Sequence, residues 1–410
     1  MKTLPVYLTL ATLAFSTSPM TLSAEEAAAP TNEELAKKVA ELEKASAPLK
    51  GIKFAGYVQA RYENGQDSVD GVKNDGKTPT NNNRFYIRRT RFKVTHKTDI
   101  TETSFQFDAT ASGVVLKDAA VAVSEPWSPV KGTVTLGQYS TPFGFEVPRS
   151  PVKNEFIERS TMMAKLFPNE VDRGVGLSGA YKLGDDKTLT FNLGFLNGNG
   201  TLDNDTKTYS VDGDGNLTAI STVAFSTAAR DRDSKKDLYG RVAVDTKPVS
   251  GGVSIYQGQY GKIPPMTVGD DGFEGGDTLT FIPKTRLGVD LQAHHTLVES
   301  LGMTEVRVEY IQGHGWFEKE KESDTDFTGY YAALIQGLGK YTAVGVRYDL
   351  WDPDTATELD EEVALEPVLL LYPNKPVKVT VSYRILTDHK GTDGADKANN
   401  ALAVQFQGSF

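Results

Sequence analysis

Arg89, Arg91 and Lys93 stand two residues apart in the stretch Arg84-Phe85-Tyr86-Ile87-Arg88-Arg89-Thr90-Arg91-Phe92-Lys93-Val94. On an extended strand this spacing puts the three cations on one face, ~6–7 Å from one to the next, with Phe92 and Val94 on the other. That interval is shorter than the ~8 Å screening length at physiological salt, so the three act as one strip of positive potential. A strip of that kind hands an anion from cation to cation without holding it in one deep site. Arginine suits phosphate in particular, because its planar fork can meet two oxygens at once. The competing reading is that the row is paired with carboxylates and serves as scaffold. Arg84 and Arg88 fall on the opposite parity, so either they sit near a rim or a bulge resets the face.

Other chemistry is only faintly written. A chain of 410 residues without cysteine has no disulfide, thiolate metal site or cysteine nucleophile. A net charge of −10 and five histidines argue against a nucleic-acid partner. His294 and His295 point to opposite faces of one strand and do not chelate together. Asp212-Gly213-Asp214-Gly215-Asn216 opens like a calcium loop, but Leu217 stands where glycine is needed and no glutamate closes it. No serine, histidine and carboxylate trio stands out. The expectation is therefore a non-enzyme with no catalytic residue, metal or cofactor; an outer-membrane phospholipase or protease is the enzyme-class alternative.

From Gly51 onward the hydropathy alternates with period two. Leu189, Phe191, Leu193 and Phe195 alternate with Thr190 and Asn192, and Val377, Val379, Val381 and Tyr383 with Lys378, Thr380 and Ser382. Many runs reach ten residues or more, the ~9–11 needed to cross a bilayer at a tilt, rather than the ~5–6 of soluble strands. About sixteen such runs follow one another. Short turns such as Leu183-Gly184-Asp185-Asp186 alternate with long polar links at 63–83, 143–171, 199–235, 261–282, 314–325, 353–360 and 389–398. Short turns on one rim and long loops on the other predict an all-β fold, a closed antiparallel transmembrane β-barrel over 51–410. A secreted soluble β-protein that binds carbohydrate is the alternative of a different class. On the polar faces of the other runs, Arg61, Arg241, Arg286, Arg307, Arg347 and Arg384 are further candidate lumen cations, set against Asp108, Asp290, Glu309, Asp349 and Glu366.

The termini carry their own signals. Met1-Lys2, an apolar run from Pro5 to Phe15 and Leu22-Ser23-Ala24 predict a signal peptide over 1–24, cleaved after Ala24. Residues 25–50 form an extension in which Glu33 to Ala45 reads as one short helix, with Leu35, Val39 and Leu42 on a heptad seam. It is either a small oligomerising stalk or a plain tail. At the other end Leu402, Val404, Phe406, Gly408 and Phe410 alternate to the last residue, which resembles the assembly signal of outer-membrane barrels. Phe406 and Phe410 are its candidate residues. The surroundings expected for such a barrel are outer-membrane lipid, lipopolysaccharide and the outer-membrane assembly machinery of a Gram-negative-type cell.

The arginine-rich stretch is followed by Ser104-Phe105-Gln106-Phe107-Asp108, by Leu136-Gly137-Gln138-Tyr139-Ser140-Thr141-Pro142-Phe143-Gly144-Phe145-Glu146, and by Asp172-Arg173-Gly174-Val175-Gly176. In order and spacing, residues 51–200 resemble the phosphate-selective porin O and P family. The resemblance implies a sixteen-stranded homotrimer that passes small hydrophilic solutes, with a preference for anions such as phosphate. Many relatives are not phosphate-specific, and lumen aromatics such as Tyr57, Tyr239 and Tyr256 also suit a general or saccharide pore. The segment 143–171 follows the fifth strand, where porins fold a loop inward as a constriction, and it carries Arg149, Lys153 and Arg159. The family places an anion-contacting lysine in this loop, for which Lys153 is the candidate.

Overall fold

The computed structural model describes residues 31–46, 51–70, 81–111, 113–168, 170–198, 207–211, 217–221, 234–262, 267–269, 272–274, 280–318, 321–388 and 399–410. The expected leader over 1–24 and the Asp212–Asn216 turn lie outside them. Residues 1–50 and 51–410 are two separate units. In the first, helix α1 (Asn32–Ser46) spans the segment read as helical. A capping box starts it. The Glu34 amide donates to Thr31 Oγ1 (3.3 Å) and the Thr31 amide to Glu34 Oε2 (2.9 Å).

The second unit is the barrel. Its strands are β1 (Ile52–Gly65), β2 (Arg84–Lys97), β3 (Thr101–Thr110), β4 (Gly113–Ser124), β5 (Thr133–Ser140), β6 (Val171–Gly184), β7 (Lys187–Leu196) and β8 (Asp237–Thr246). They continue as β9 (Val249–Lys262), β10 (Thr280–Val298), β11 (Gly302–Glu318), β12 (Lys321–Gly337), β13 (Thr342–Asp352), β14 (Glu362–Asn374), β15 (Val377–Asp388) and β16 (Ala401–Ser409). Each pairs antiparallel with its neighbours, and β16 returns to β1 with Tyr57 opposite Ser409, so the sheet has no free edge. Two small hairpins, Lys207–Val211 with Leu217–Ser221 and Thr267–Gly269 with Gly272–Glu274, stand outside the ring.

Alternation sorts the side chains. Phe54, Phe92, Phe105, Leu136, Leu193 and Leu287 are exposed on the outer face, while Gln59, Arg61, Arg91, Asp108 and Arg347 are buried inside. This inversion of a soluble protein is the signature of a wall facing hydrocarbon, where closure pairs every backbone group within the sheet. Short turns at 98–100, 125–132, 185–186, 247–248, 299–301, 338–341 and 375–376 share one rim, and the long links leave from the other. The loop expected at 314–325 is instead a strand hairpin, with Trp316 opposite Ser323 and Glu318 opposite Lys321. The run Glu318-Lys319-Glu320-Lys321-Glu322-Ser323-Asp324 is polar throughout, so the sequence there lacks the alternation that betrays a strand.

The hydrophobic core sits inside the barrel. The segment 141–170, which includes helix α2 (Thr161–Leu166), brings Phe143, Val147, Phe156, Met162, Met163 and Leu166 against Ile311, Phe327, Tyr331 and Trp351 of the wall. Each fully buried side chain of this size contributes ~1.5–3 kcal/mol. Glycines permit the close approach: a Cβ on Gly288 would lie 2.8 Å from the Phe143 ring, and one on Gly329 2.8 Å from Met162 Cβ.

Candidate functional site

The row on β2 faces the lumen, as its parity predicted, but its members differ. Arg91 grips Asp108 with both ends of its fork, Nε to Oδ1 at 2.5 Å and Nη2 to Oδ2 at 2.6 Å. Arg89 reaches the same carboxylate at 3.8 Å, and its Nε has no hydrogen-bond partner. Lys93, partly exposed, lies 3.4 Å from Asp118. Arg88 joins them because the register slips between Gln59 and Ala60: Gln59 faces Arg89, Ala60 faces Ile87, and Arg88 is the extra residue. The bulge returns Tyr86 to the inner face and leaves Phe85 and Ile87 exposed outside.

Arg88 and Arg61 share Glu158 of the inner segment, at 2.8 and 2.7 Å. Burial raises the Glu158 carboxyl, but Arg88, by charge and hydrogen bond, and then Arg61 hold it down at about 2. Glu155 is likewise shared by Arg307 (2.6 Å) and Arg149 (2.9 Å). Burial pushes its carboxyl up, but the hydrogen bond and charge of Arg307 and the charge of Arg149 together outweigh that, so it too stays below the usual value.

The inner segment is therefore held from many strands at once. Arg347 donates to the Glu158 carbonyl (3.1 Å) and to Glu366 (2.8 Å), and its guanidinium lies 4.7 Å from the centre of the Phe156 ring. Lys378 donates to the carbonyls of Val152 (2.9 Å) and Asn154 (2.7 Å), and Gln407 of β16 also donates to Val152 O (3.1 Å). Arg384 reaches Thr161 Oγ1 (2.7 Å), and the Thr161 amide donates to Asp349 (2.7 Å). Arg159 works within the segment, donating to the carbonyls of Glu146, Val147 and Arg149 and pairing with Glu170. Arg241 pairs with Asp290, and Arg286 stacks over Phe167 at 4.4 Å.

The cations anticipated from the sequence thus divide. Arg61, Arg307, Arg347 and Arg384 bracket the inner segment; Arg149 is paired; Lys153 is exposed on a single 3-10 turn, Pro151–Lys153. Between that segment and strands β2–β6 a cavity of about 330 Å³ remains, lined by Arg91, Lys93, Lys117, Arg149 and Glu170 among others. Sequence reasoning missed Lys117, which lies at a second bulge: Gln106 faces Asp118 and Phe107 faces Leu116. Gln138 Nε2 caps the Leu116 and Lys117 carbonyls there at 2.7 and 2.9 Å. Among the described residues no group of His, Asp and Glu could hold a metal ion.

Residues 58–240 match the family described as Phosphate-selective porin O and P. Over those residues, a little under half of its length, the chain is similar to this porin family. Similar solved structures share the barrel: the outer membrane channel DcaP of Acinetobacter baumannii (11% identity, 88% of this chain and 97% of that one, TM-score 0.54); a loop L8 deletion mutant of OmpT of Vibrio cholerae (10%, 88% and 99%, 0.53); and Salmonella typhi OmpF in complex with daunomycin (10%, 88% and 97%, 0.53). At these identities the likeness is one of fold. Comparison with curated protein sequences gives no match. Family and fold together are those of an outer-membrane β-barrel porin.

Proposed function

We propose that this porin lets small hydrophilic solutes diffuse across the outer membrane with a preference for anions such as phosphate, and that it works as a homotrimer. One observation carries the preference. Asp108 and Glu158 are each shared between two arginines, so the pairing beside β1 and β2 leaves the cations in excess locally. Arg89, only loosely held by Asp108 at 3.8 Å and with its Nε unpartnered, and Lys93, partly exposed, are the members of the β2 row with most to offer a passing anion. The segment 143–171 acts as the constriction, with Arg149 and Lys153 on its edge. The saccharide reading is weaker, since Tyr57, Tyr239 and Tyr256 are buried and two of them have engaged hydroxyls, Tyr239 with Tyr139 (3.3 Å) and Tyr256 with Asp237 (2.7 Å).

The test is the reversal potential of the purified channel in a salt gradient across a planar bilayer. The wild type should be anion-selective. Arg89→Gln combined with Lys93→Gln, which leaves the Arg91–Asp108 pair intact, should lower the anion-to-cation permeability ratio by roughly two-fold or more. An unchanged ratio, or a cation-selective wild type, returns the row to scaffolding and favours a general pore.

A further inference from the structure

A cavity of about 810 Å³ lies on the outer wall across β9–β12. Register sets its outward side chains in tiers. Gln257, Thr285, His314 and Asp326 lie level across four strands; the next tier toward the short-turn rim is Ile255, Leu287, Gln312 and Thr328; the next is Val253, Val289, Tyr310 and Tyr330. Within two steps the wall passes from apolar to polar, with a tyrosine pair at the change. Tyrosines of that kind mark the level where hydrocarbon gives way to headgroups. Because this change faces the long-loop rim, the groove lies at the outer leaflet in the orientation expected of porins.

Its chemistry selects among headgroups. Both ring nitrogens of His314 lie 2.8 Å from carboxylates, those of Asp324 and Asp326. Tyr310 donates to Gln312 Oε1 at 2.9 Å, and Gln257 and Thr285 are exposed beside them. Among the lining residues the one arginine, Arg286, turns inward over Phe167, and His314, which donates from both ring nitrogens, is outnumbered by its two carboxylates, so the net charge facing a phosphate is negative. Amides, hydroxyls and carboxylates beside an aromatic ring are instead the groups that meet sugar hydroxyls. Exposed Ile255 and Leu287 continue downward into the lipid-facing wall, where an acyl chain would lie.

We propose that this groove seats the sugar headgroup of an outer-leaflet glycolipid, its chains running down over Leu287 and Val289. The inference rests on the porin reading only for the membrane that surrounds the wall. Native mass spectrometry of the refolded, lipid-free full chain, titrated with rough lipopolysaccharide or with phosphatidylglycerol, tests it. The wild type should prefer the glycolipid by about tenfold, and Gln257→Leu with Gln312→Leu should lose that preference. Both side chains are exposed, so single-channel conductance should persist; His314→Leu gives a second variant with the same expectation. Equal binding of the two lipids, or wild-type binding by the variants, overturns the groove. So does a change of oligomeric state without loss of glycolipid, which would make it a contact between copies. Absence of channel activity in the wild type would instead defeat the porin reading.

Discussion

Glu158 is a carboxylate asked to serve two guanidinium groups, and its removal has a definite sign. With Glu158→Gln, Arg61 and Arg88 keep their charge and lose their anion, so the lumen becomes more positive. Anion selectivity should rise by roughly two-fold in the salt-gradient measurement, while stability falls by about 1–3 kcal/mol. Acid should not mimic this variant. The folded carboxyl lies at about 2, below its ordinary 4.5, so its stabilising contribution is complete above 4.5 and is lost only as pH falls through about 2. Between pH ~7 and ~4 the variant should therefore differ from the wild type at every point. These partners were not legible in the sequence. Glu158 lies far along the chain from Arg61 and Arg88, and only the bulge at Arg88, betrayed by two adjacent arginines in a strict alternation, turns them to one side.

Among the elements, the inner segment and the last strand are the informative ones. Arg347 is buried with contacts to Glu366 and to the carbonyls of Glu158 and Arg159; Arg347→Met strands Glu366 without its cation and loosens the segment. We expect a loss of about 3–5 kcal/mol, read as a lower temperature for unfolding of the heat-modifiable form, with larger and noisier single-channel conductance. At β16, Phe410 exchanges backbone hydrogen bonds with Gly56 at 3.0 and 3.1 Å, and a Cβ on Gly56 would meet the Phe410 ring at 2.4 Å. Deleting Phe410, substituting Phe406→Asp, or placing valine at Gly56 should each leave unfolded chain in the periplasm; normal levels of folded oligomer would refute this role. The strands themselves were readable because a lipid-facing wall forces alternation on the chain. Where the wall leaves the lipid, at 314–325, that pressure ends and a strand hairpin reads as a loop.

At the scale of the whole molecule the two rims predict an orientation. The long links at 197–236 and 263–279 should face outward, so protease added to intact cells should cut them and spare the Asp185-Asp186 turn. Cleavage at that turn instead would invert the barrel. The mature chain should begin at Glu25, checked by sequencing its N-terminus. One glutamine ties these scales together. Gln407 accepts from Gln59 of the first strand at 2.9 Å and donates to Val152 O of the inner segment at 3.1 Å, and Lys378 of the neighbouring strand holds the same carbonyl. If the inner segment is the proposed constriction, assembly and calibre are set by one event. Until the final strand docks, the inner segment lacks its far moorings, so a half-built cylinder is also an unthrottled one. A cell that inserts this protein only as the last strand arrives never carries the wide hole that the bare wall would enclose.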